Sequence, residues 1–226
     1  MKGSKGHGII LMYKSLEEIS IMYPNCKCQI AGNFLDAYSS YLEPLRHEPI
    51  KLLEIGVQNG NSLLMWQAFF DEVSIFGLDI ELNANVKDAT LCCASQTSSE
   101  ARDALVAQYG ENFDVIIEDG GTTQTEKITA FELYFPLLKA GGFYFIDHIQ
   151  HSYEPKNYGG HLQRHSLVEY LKTLIDAVNL YGRADRGDAL KAFAKYEKGD
   201  FSFLELNIDF IHFYCGLCVI RRRKNV

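Results

Sequence analysis

Residues 52–60, Leu-Leu-Glu-Ile-Gly-Val-Gln-Asn-Gly, run from an apolar segment straight into a loop with two glycines. A second apolar segment, Val73-Ser-Ile-Phe-Gly-Leu78, follows and ends on Asp79. Between them, residues 61–70 read as a helix. Strand, glycine loop, helix, strand and terminal carboxylate form the first half of an α/β unit whose crevice suits a nucleoside. Glycine permits the tight turn and the close backbone approach. The helix that follows offers unpaired N–H groups at its start, and Asp79 at the next strand tip can accept hydrogen bonds from ribose hydroxyls.

The alternation continues outward from this stretch. Strands are expected at Lys51–Ile55, Val73–Leu78, Thr90–Ala94, Phe113–Glu118 and Phe143–Asp147, with helices at 61–70, 98–109 and 125–139 between them. Continuous apolar runs such as Val115-Ile116-Ile117 suit parallel strands buried on both faces. The helix at 125–139 is expected to be capped by Thr123 or Thr125, to bury Ile128, Phe131, Phe135 and Leu138, and to stop at Gly141-Gly142. Another amphipathic helix is expected over Ser166–Asn179, with Leu167, Leu171, Leu174 and Val178 on one face. The tail, Phe203–Tyr214 then Leu217–Arg222, reads as two strands turned at Cys215-Gly216, a link short enough to make them antiparallel. The fold class is therefore α/β, five parallel strands closed by an antiparallel pair, with helices on both faces. Residues 1–46 are expected as an N-terminal helical element, its second helix broken near Pro44, and 47–226 as a single globular unit.

Composition narrows the partners. Lys and Arg number 22 against 29 Asp and Glu, a formal charge of −7, so no cationic excess is available to neutralise nucleic-acid phosphates. The one basic cluster, Arg221–Lys224, reads as a solvated strand end that protects a sheet edge. No run approaches the ~18 apolar residues needed to span a bilayer, and Ile9–Met12 is too short for a signal-peptide core. The chain is thus expected to be cytoplasmic, with neither membrane nor nucleic acid as partner. Cys215-x-x-Cys218 has zinc-like spacing, but no second such pair lies nearby to complete a tetrahedron. Like Cys92-Cys93 and Cys26-x-Cys28, these residues are expected as thiols of a reducing compartment, buried in the core.

The loop Gly56-x-x-x-Gly60 is not the dinucleotide fingerprint G-x-G-x-x-G. Gln58 stands where the second glycine would let a pyrophosphate approach, which disfavours a nicotinamide oxidoreductase. A ligand with ribose but no pyrophosphate fits better, and S-adenosylmethionine is one. Glu54, at the strand tip, is placed near its cationic end. Strands one, two, four and five end on Glu54, Asp79, Glu118-Asp119 and Asp147-His148, so the topology gathers five carboxylates and an imidazole on one rim. Helix capping accounts for one or two of these. The remainder need a compensating cation, a sulfonium, a divalent metal or both.

At this point the sequence resembles a known family. Leu52–Asp79, with Ser62-Leu63-x-Met65-Trp66 inside it, is similar to the class I S-adenosylmethionine-dependent methyltransferases, which have a Rossmann-like fold. The macrocin O-methyltransferase and cephalosporin-hydroxylase-like branch is closer still. Its strand-four motif F-D-x-I-I-D-D-G-S-H is matched by Phe113-Asp114-Val115-Ile116-Ile117-Glu118-Asp119-Gly120-Gly121-Thr122, and L-L-K-P-G-G by Leu137–Gly142. Ser152-Tyr153, Tyr158-Gly159-Gly160, Ser166-x-x-x-Tyr170-x-Lys172 and Ile211-His212-Phe213-Tyr214 continue the likeness. It covers roughly residues 33–224.

The resemblance implies a methyltransferase acting on a hydroxyl of a small polar acceptor, such as a sugar or a secondary-metabolite glycoside. It implies a cofactor site around Gly56, Gln58, Asn59, Gly60 and Ser62. Asp79 and Ile80 would then face the ribose, and Ser95-Gln96 the adenine. It also implies a divalent cation, magnesium or another, at Asp119, Asp147 and His148, with imidazole in place of a carboxylate. Self-association into a homo-oligomer is expected from relatives. The family's histidine base is Thr122 here, and threonine cannot take a proton at neutral pH. Asp119, Asp147, His148 and His151 are therefore the catalytic candidates, His148 foremost as base, with His161 farther along the same loop. His212 reads as a satisfied core residue. A binder that has lost catalysis, and an N-methyltransferase, remain open alternatives.

Overall fold

The computed structural model describes residues 13–24, 34–179 and 202–224. Its framework is a seven-stranded sheet. The strands are β1 (Pro49–Ile55), β2 (Glu72–Asp79), β3 (Ala89–Cys93), β4 (Phe113–Glu118), β5 (Leu138–Asp147), β6 (Ile208–Tyr214) and β7 (Leu217–Arg222), in the order β3-β2-β1-β4-β5-β7-β6. β1 to β5 are parallel neighbours, and Leu52 lies between Ile75 and Val115. β7 runs antiparallel to both β5 and β6. The strand order reverses beside β1, whose neighbours are β2 and β4, and such a reversal opens a crevice beyond the carboxyl ends of the strands.

Side chains of each strand alternate between two apolar layers. Leu53, Ile55, Ile116, Tyr144 and Ile146 lie in one layer with Leu105 of α4 (Ser99–Tyr109), Phe131 of α5 (Gln124–Tyr134) and Leu171 of α6 (Leu167–Thr173). Leu52, Val115, Ile117 and Phe145 face α2 (Phe34–Leu42) and α3 (Asn61–Phe69), where Tyr38 and Trp66 are wholly buried. A short helix, α1 (Leu16–Met22), is closed by a capping box between Ser15 and Glu18 and adds Leu16 and Ile19 to the second layer. After α2 the chain tightens into a 3-10 turn at Glu43–Leu45, where Pro44 sits.

Several elements depart from the expectations. The helix expected over 125–139 ends at Tyr134 because Pro136 forces a 3-10 turn at Phe135–Leu137. β5 therefore begins at Leu138, five residues early, and Gly141-Gly142 lie within a strand rather than stopping a helix. Of the apolar stripe expected over 125–139, Phe131, Phe135 and Leu138 are buried and Ile128 is only half-buried, while Gln124, Lys127, Ala130 and Tyr134 of the helix also lie inside. The helix expected over 166–179 breaks at Leu174 into α6 and α7 (Ile175–Val178). Residues Phe203–Asn207, expected in a strand, are helical, because Ser202 and Glu205 form a capping box ahead of β6.

The basic cluster protects no edge, since β7 lies inside the sheet. Arg222 donates to the carbonyls of Pro136 and Leu138, and Arg223 to that of Ile208. Of the cysteines, Cys218 is buried, and burial pushes its thiol well up, whereas Cys93 and Cys215 are exposed rather than in the core. Cys26 and Cys28 lie outside the described residues. Among the described residues no helix is long and apolar enough to cross a membrane.

Candidate active site

A cleft of about 260 Å³ lies beyond the carboxyl ends of β1 to β4. Gly56 turns the chain at the tip of β1 with φ +91°, and there the loop after β4 crosses it closely. A Cβ on Gly56 would stand 2.5 Å from Gly120 Cα and 2.6 Å from the Asp119 carbonyl oxygen. Two facing loops this close form one wall, and no side chain fits between them. Gly60, with φ +81°, then starts α3.

Asp79 closes the opposite side. Its Oδ2 accepts from the amides of Val57 (2.7 Å) and Gln58 (2.9 Å), and its Oδ1 from Glu81 N (3.2 Å). The carboxylate thus braces the glycine loop while it lines the cleft. Next to it, Ile80 is 73 % exposed, an apolar face presented to the opening. Leu78, Ala94 and Ser95 continue that wall.

Gln96 is committed at both ends. Its Oε1 accepts from Gly121 N at 2.8 Å, and its Nε2 donates to Glu118 Oε1 at 3.2 Å. Glu118 is not on the rim as expected but fully buried beneath it. Lys127 reaches up from α5 to its other oxygen at 2.9 Å and to the carbonyl of Asp147 at 3.0 Å. Burial pushes the Glu118 carboxyl above the ordinary carboxylate range, and the adjacent Lys127 ammonium opposes that.

Asp119 and His148 meet. Asp119 lines the cleft, and His148 Nε2 stands 3.1 Å from its Oδ1. The Gln150 side-chain amide lies 3.2 Å from the other ring nitrogen, so both nitrogens of His148 have partners. His148 is held in the left-handed region (φ 59°) at the end of β5 and stacks on His151 at 5.5 Å. Burial lowers the His151 imidazole below its ordinary value; Glu154 works against this, while His148 and the lysines nearby add to it. Asp147 does not join this pair. It is buried, and its Oδ1 accepts from Tyr38 Oη at 2.7 Å on the α2 side of the sheet. Among the described residues no three His, Cys, Asp or Glu side chains converge as a metal-binding group. Asp119 pairs with His148, and Asp147 with Tyr38.

The chain is 31 % identical over 184 residues to L-olivosyl-oleandolide 3-O-methyltransferase of Streptomyces antibioticus, a match covering 75 % of this chain and 47 % of that protein. It is 31 % identical over 154 residues to demethylmacrocin O-methyltransferase of Streptomyces fradiae, covering 64 % and 38 %. The crystal structure of MycE methyltransferase from the mycinamycin biosynthetic pathway, in complex with Mg and SAH, superposes with a TM-score of 0.79 at 26 % identity. That alignment covers 93 % of this chain and 55 % of MycE. The chain is a homologue of the macrocin-type class I methyltransferases. It spans about half the length of the curated relatives it matches. No family model matches it.

Of the residues expected at a cofactor site, Gly56, Gln58, Asp79, Ile80, Ser95, Gln96 and Asp119 line the cleft. Glu54, Asn59, Gly60 and Ser62 do not. Glu54 is wholly buried, and Ser62 is buried in the first turn of α3. Asn59 is exposed and accepts from the Asn61 amide. His161, Tyr153 and Tyr158 are exposed on the loop after β5. His212 is exposed rather than in the core, stacked on Phe210 at 4.1 Å and 2.7 Å from Tyr41 Oη.

Sequence reading missed Glu126, Lys127 and Gln124. Glu126 closes the capping box of α5 with Thr123 and lines the cleft, a signal legible in the T-x-x-E spacing. Gln124 ties the loop after β5 in place, donating to the carbonyls of His151 and Asn157 and accepting from Leu167 N.

Proposed function

We propose that this chain carries S-adenosylmethionine-dependent O-methylation of a small polar acceptor, its hydroxyl borne on a sugar or a secondary-metabolite glycoside. The observation that carries the reading is the cleft itself. It combines a strand-tip carboxylate, Asp79, an exposed apolar face, Ile80, and a second carboxylate, Asp119, on a loop that glycine alone can pack. This set fits a nucleoside bearing a cation, with ribose hydroxyls at Asp79, a base against Ile80 and positive charge toward the acids. The homologous O-methyltransferases support it.

S-adenosylmethionine would supply the electrophilic methyl group when bound. The chain orients the acceptor oxygen in line and removes its proton. Asp119 takes that role, because it faces the cleft while His148 stands behind it with both nitrogens engaged. The proton passes from the hydroxyl to the Asp119–His148 pair as the oxygen–methyl bond forms and the sulfur–methyl bond breaks. Exposed Cys93 suits a reducing, cytoplasmic setting, and the charge of −7 suits a small molecule over nucleic acid.

Calorimetry with S-adenosylhomocysteine against NADH tests the cofactor, and methyl transfer to deoxysugar glycosides tests the reaction. Binding of the homocysteine nucleoside with turnover is the expected result. Tight binding without turnover on any hydroxylated acceptor would favour a binder that has lost catalysis. Preference for NADH would overturn the reading.

A further inference from the structure

The Glu118–Lys127 pair is an expensive feature. Both side chains are essentially sealed from solvent, and desolvating two charges costs several kcal/mol per ion, often no better for stability than well-packed apolar residues. Stability alone gives little reason for it. Its contacts give a better one. Lys127 Nζ bonds to the last side chain of β4, Glu118, and to the last carbonyl of β5, Asp147. The residues immediately following these two are Asp119 and His148, which face each other at 3.1 Å.

One ammonium therefore bridges the two backbone segments that deliver the pair. His148 adds to the need for such a tie. It occupies the left-handed region, which costs a residue with a Cβ about 1 kcal/mol or more and persists only when its surroundings hold it. The carbonyl that Lys127 grips belongs to the residue just before it. The other oxygen of Glu118 extends the chain of bonds through Gln96 to Gly121 N, on the cleft wall. An apolar side chain at 127 could fill the same space but could hold none of these groups.

We propose that Lys127 is a positioning residue. It sets the separation and orientation of Asp119 and His148 by clamping the ends of β4 and β5, and through Glu118 and Gln96 it steadies the cleft wall. The inference rests on the function proposed above.

The test compares the wild-type chain with Lys127→Met and with Glu118→Gln/Lys127→Met, which removes both charges and so avoids a stranded carboxylate. Wild-type binding of S-adenosylhomocysteine and turnover of a glycoside acceptor come first, since failure there sinks the proposed function and not the clamp. Given wild-type turnover, the double variant should melt near the wild-type temperature and bind the nucleoside within about threefold. Its kcat should nevertheless fall about 10- to 100-fold, the loss expected of a displaced reacting group. Its kcat–pH profile should also shift, because the Asp119–His148 spacing has changed. A double variant with kcat and pH profile within about twofold of wild type would show the pair to be structural only. A double variant that fails to fold would also overturn the proposal, since the pair would then serve the fold itself.

Discussion

Tyr38 donates its hydroxyl proton to Asp147 across 2.7 Å, joining residues 109 positions apart. The ring stacks on Phe145 at 4.4 Å, so α2 is fixed to the sheet by an apolar face and a charged hydrogen bond together. The same bond holds the Asp147 carboxylate on the α2 side of the sheet, away from Asp119 and His148. Tyr38→Phe removes a buried donor to a carboxylate and is expected to cost about 1–3 kcal/mol of stability. Denaturant unfolding measures it, and a loss under about 0.5 kcal/mol would show the bond to be dispensable.

Gly56 admits no substitute. Alanine there would place its Cβ 2.5 Å from Gly120 Cα at a φ of +91°. Strain and overlap together should cost about 3 kcal/mol or more and drive the two loops apart. Gly56→Ala should therefore melt at lower temperature and lose S-adenosylhomocysteine binding in calorimetry. Retained binding would mean that the loops can separate without harm to the cleft.

Asp79→Asn keeps the shape but gives up the charge that receives the Val57 and Gln58 amides. Hydrogen bonds to a charged group contribute about 1.5–3 kcal/mol, so nucleoside affinity should fall about tenfold or more. Affinity unchanged in calorimetry would take Asp79 out of the binding site.

Asp119→Asn should lower kcat about 10²- to 10⁴-fold, the range of general acid–base assistance. His148→Gln keeps a donor toward Asp119 and should cost less, with KM for the acceptor little altered in both. If His148→Gln proved the more damaging in steady-state assays, the imidazole and not the carboxylate would be the base.

Burial depresses the His151 imidazole, so the folded protein holds that ring neutral where the unfolded chain would protonate it. The associated stability is present above the ordinary imidazole value, about 6.5, and is lost as pH falls through the lower folded value. Thermal denaturation between pH 7 and pH 5 should show this loss, and His151→Asn should flatten it. Parallel curves for the two proteins would remove His151 as its source.

Much of this was legible in the order of residues. The run Leu52–Asp79 and the acids closing β2 and β4 follow local rules, since continuous apolar strands, glycine turns and capping boxes need only neighbours in the chain. Pro136 was equally visible, and its effect on α5 was missed because the glycines after it suggested a later stop. Lys127 was unreadable, because a lysine at a helical position is ordinarily solvated. Only the arrival of Glu118 from another strand makes its burial tolerable.

The sequence by itself determined the parallel α/β order, the glycine loop and the strand-tip acids at 79 and 119, all written in short-range periodicity and turn chemistry. Tertiary structure alone decided which acids share a space. Asp119 went to His148, Asp147 to Tyr38 and Glu118 to Lys127. The reason is that side chains alternate along a strand, and Glu118 pairs in register with Ile146, one residue short of Asp147, so Glu118 and Asp147 leave on opposite faces. Their partners are then chosen by whichever helix packs on that face.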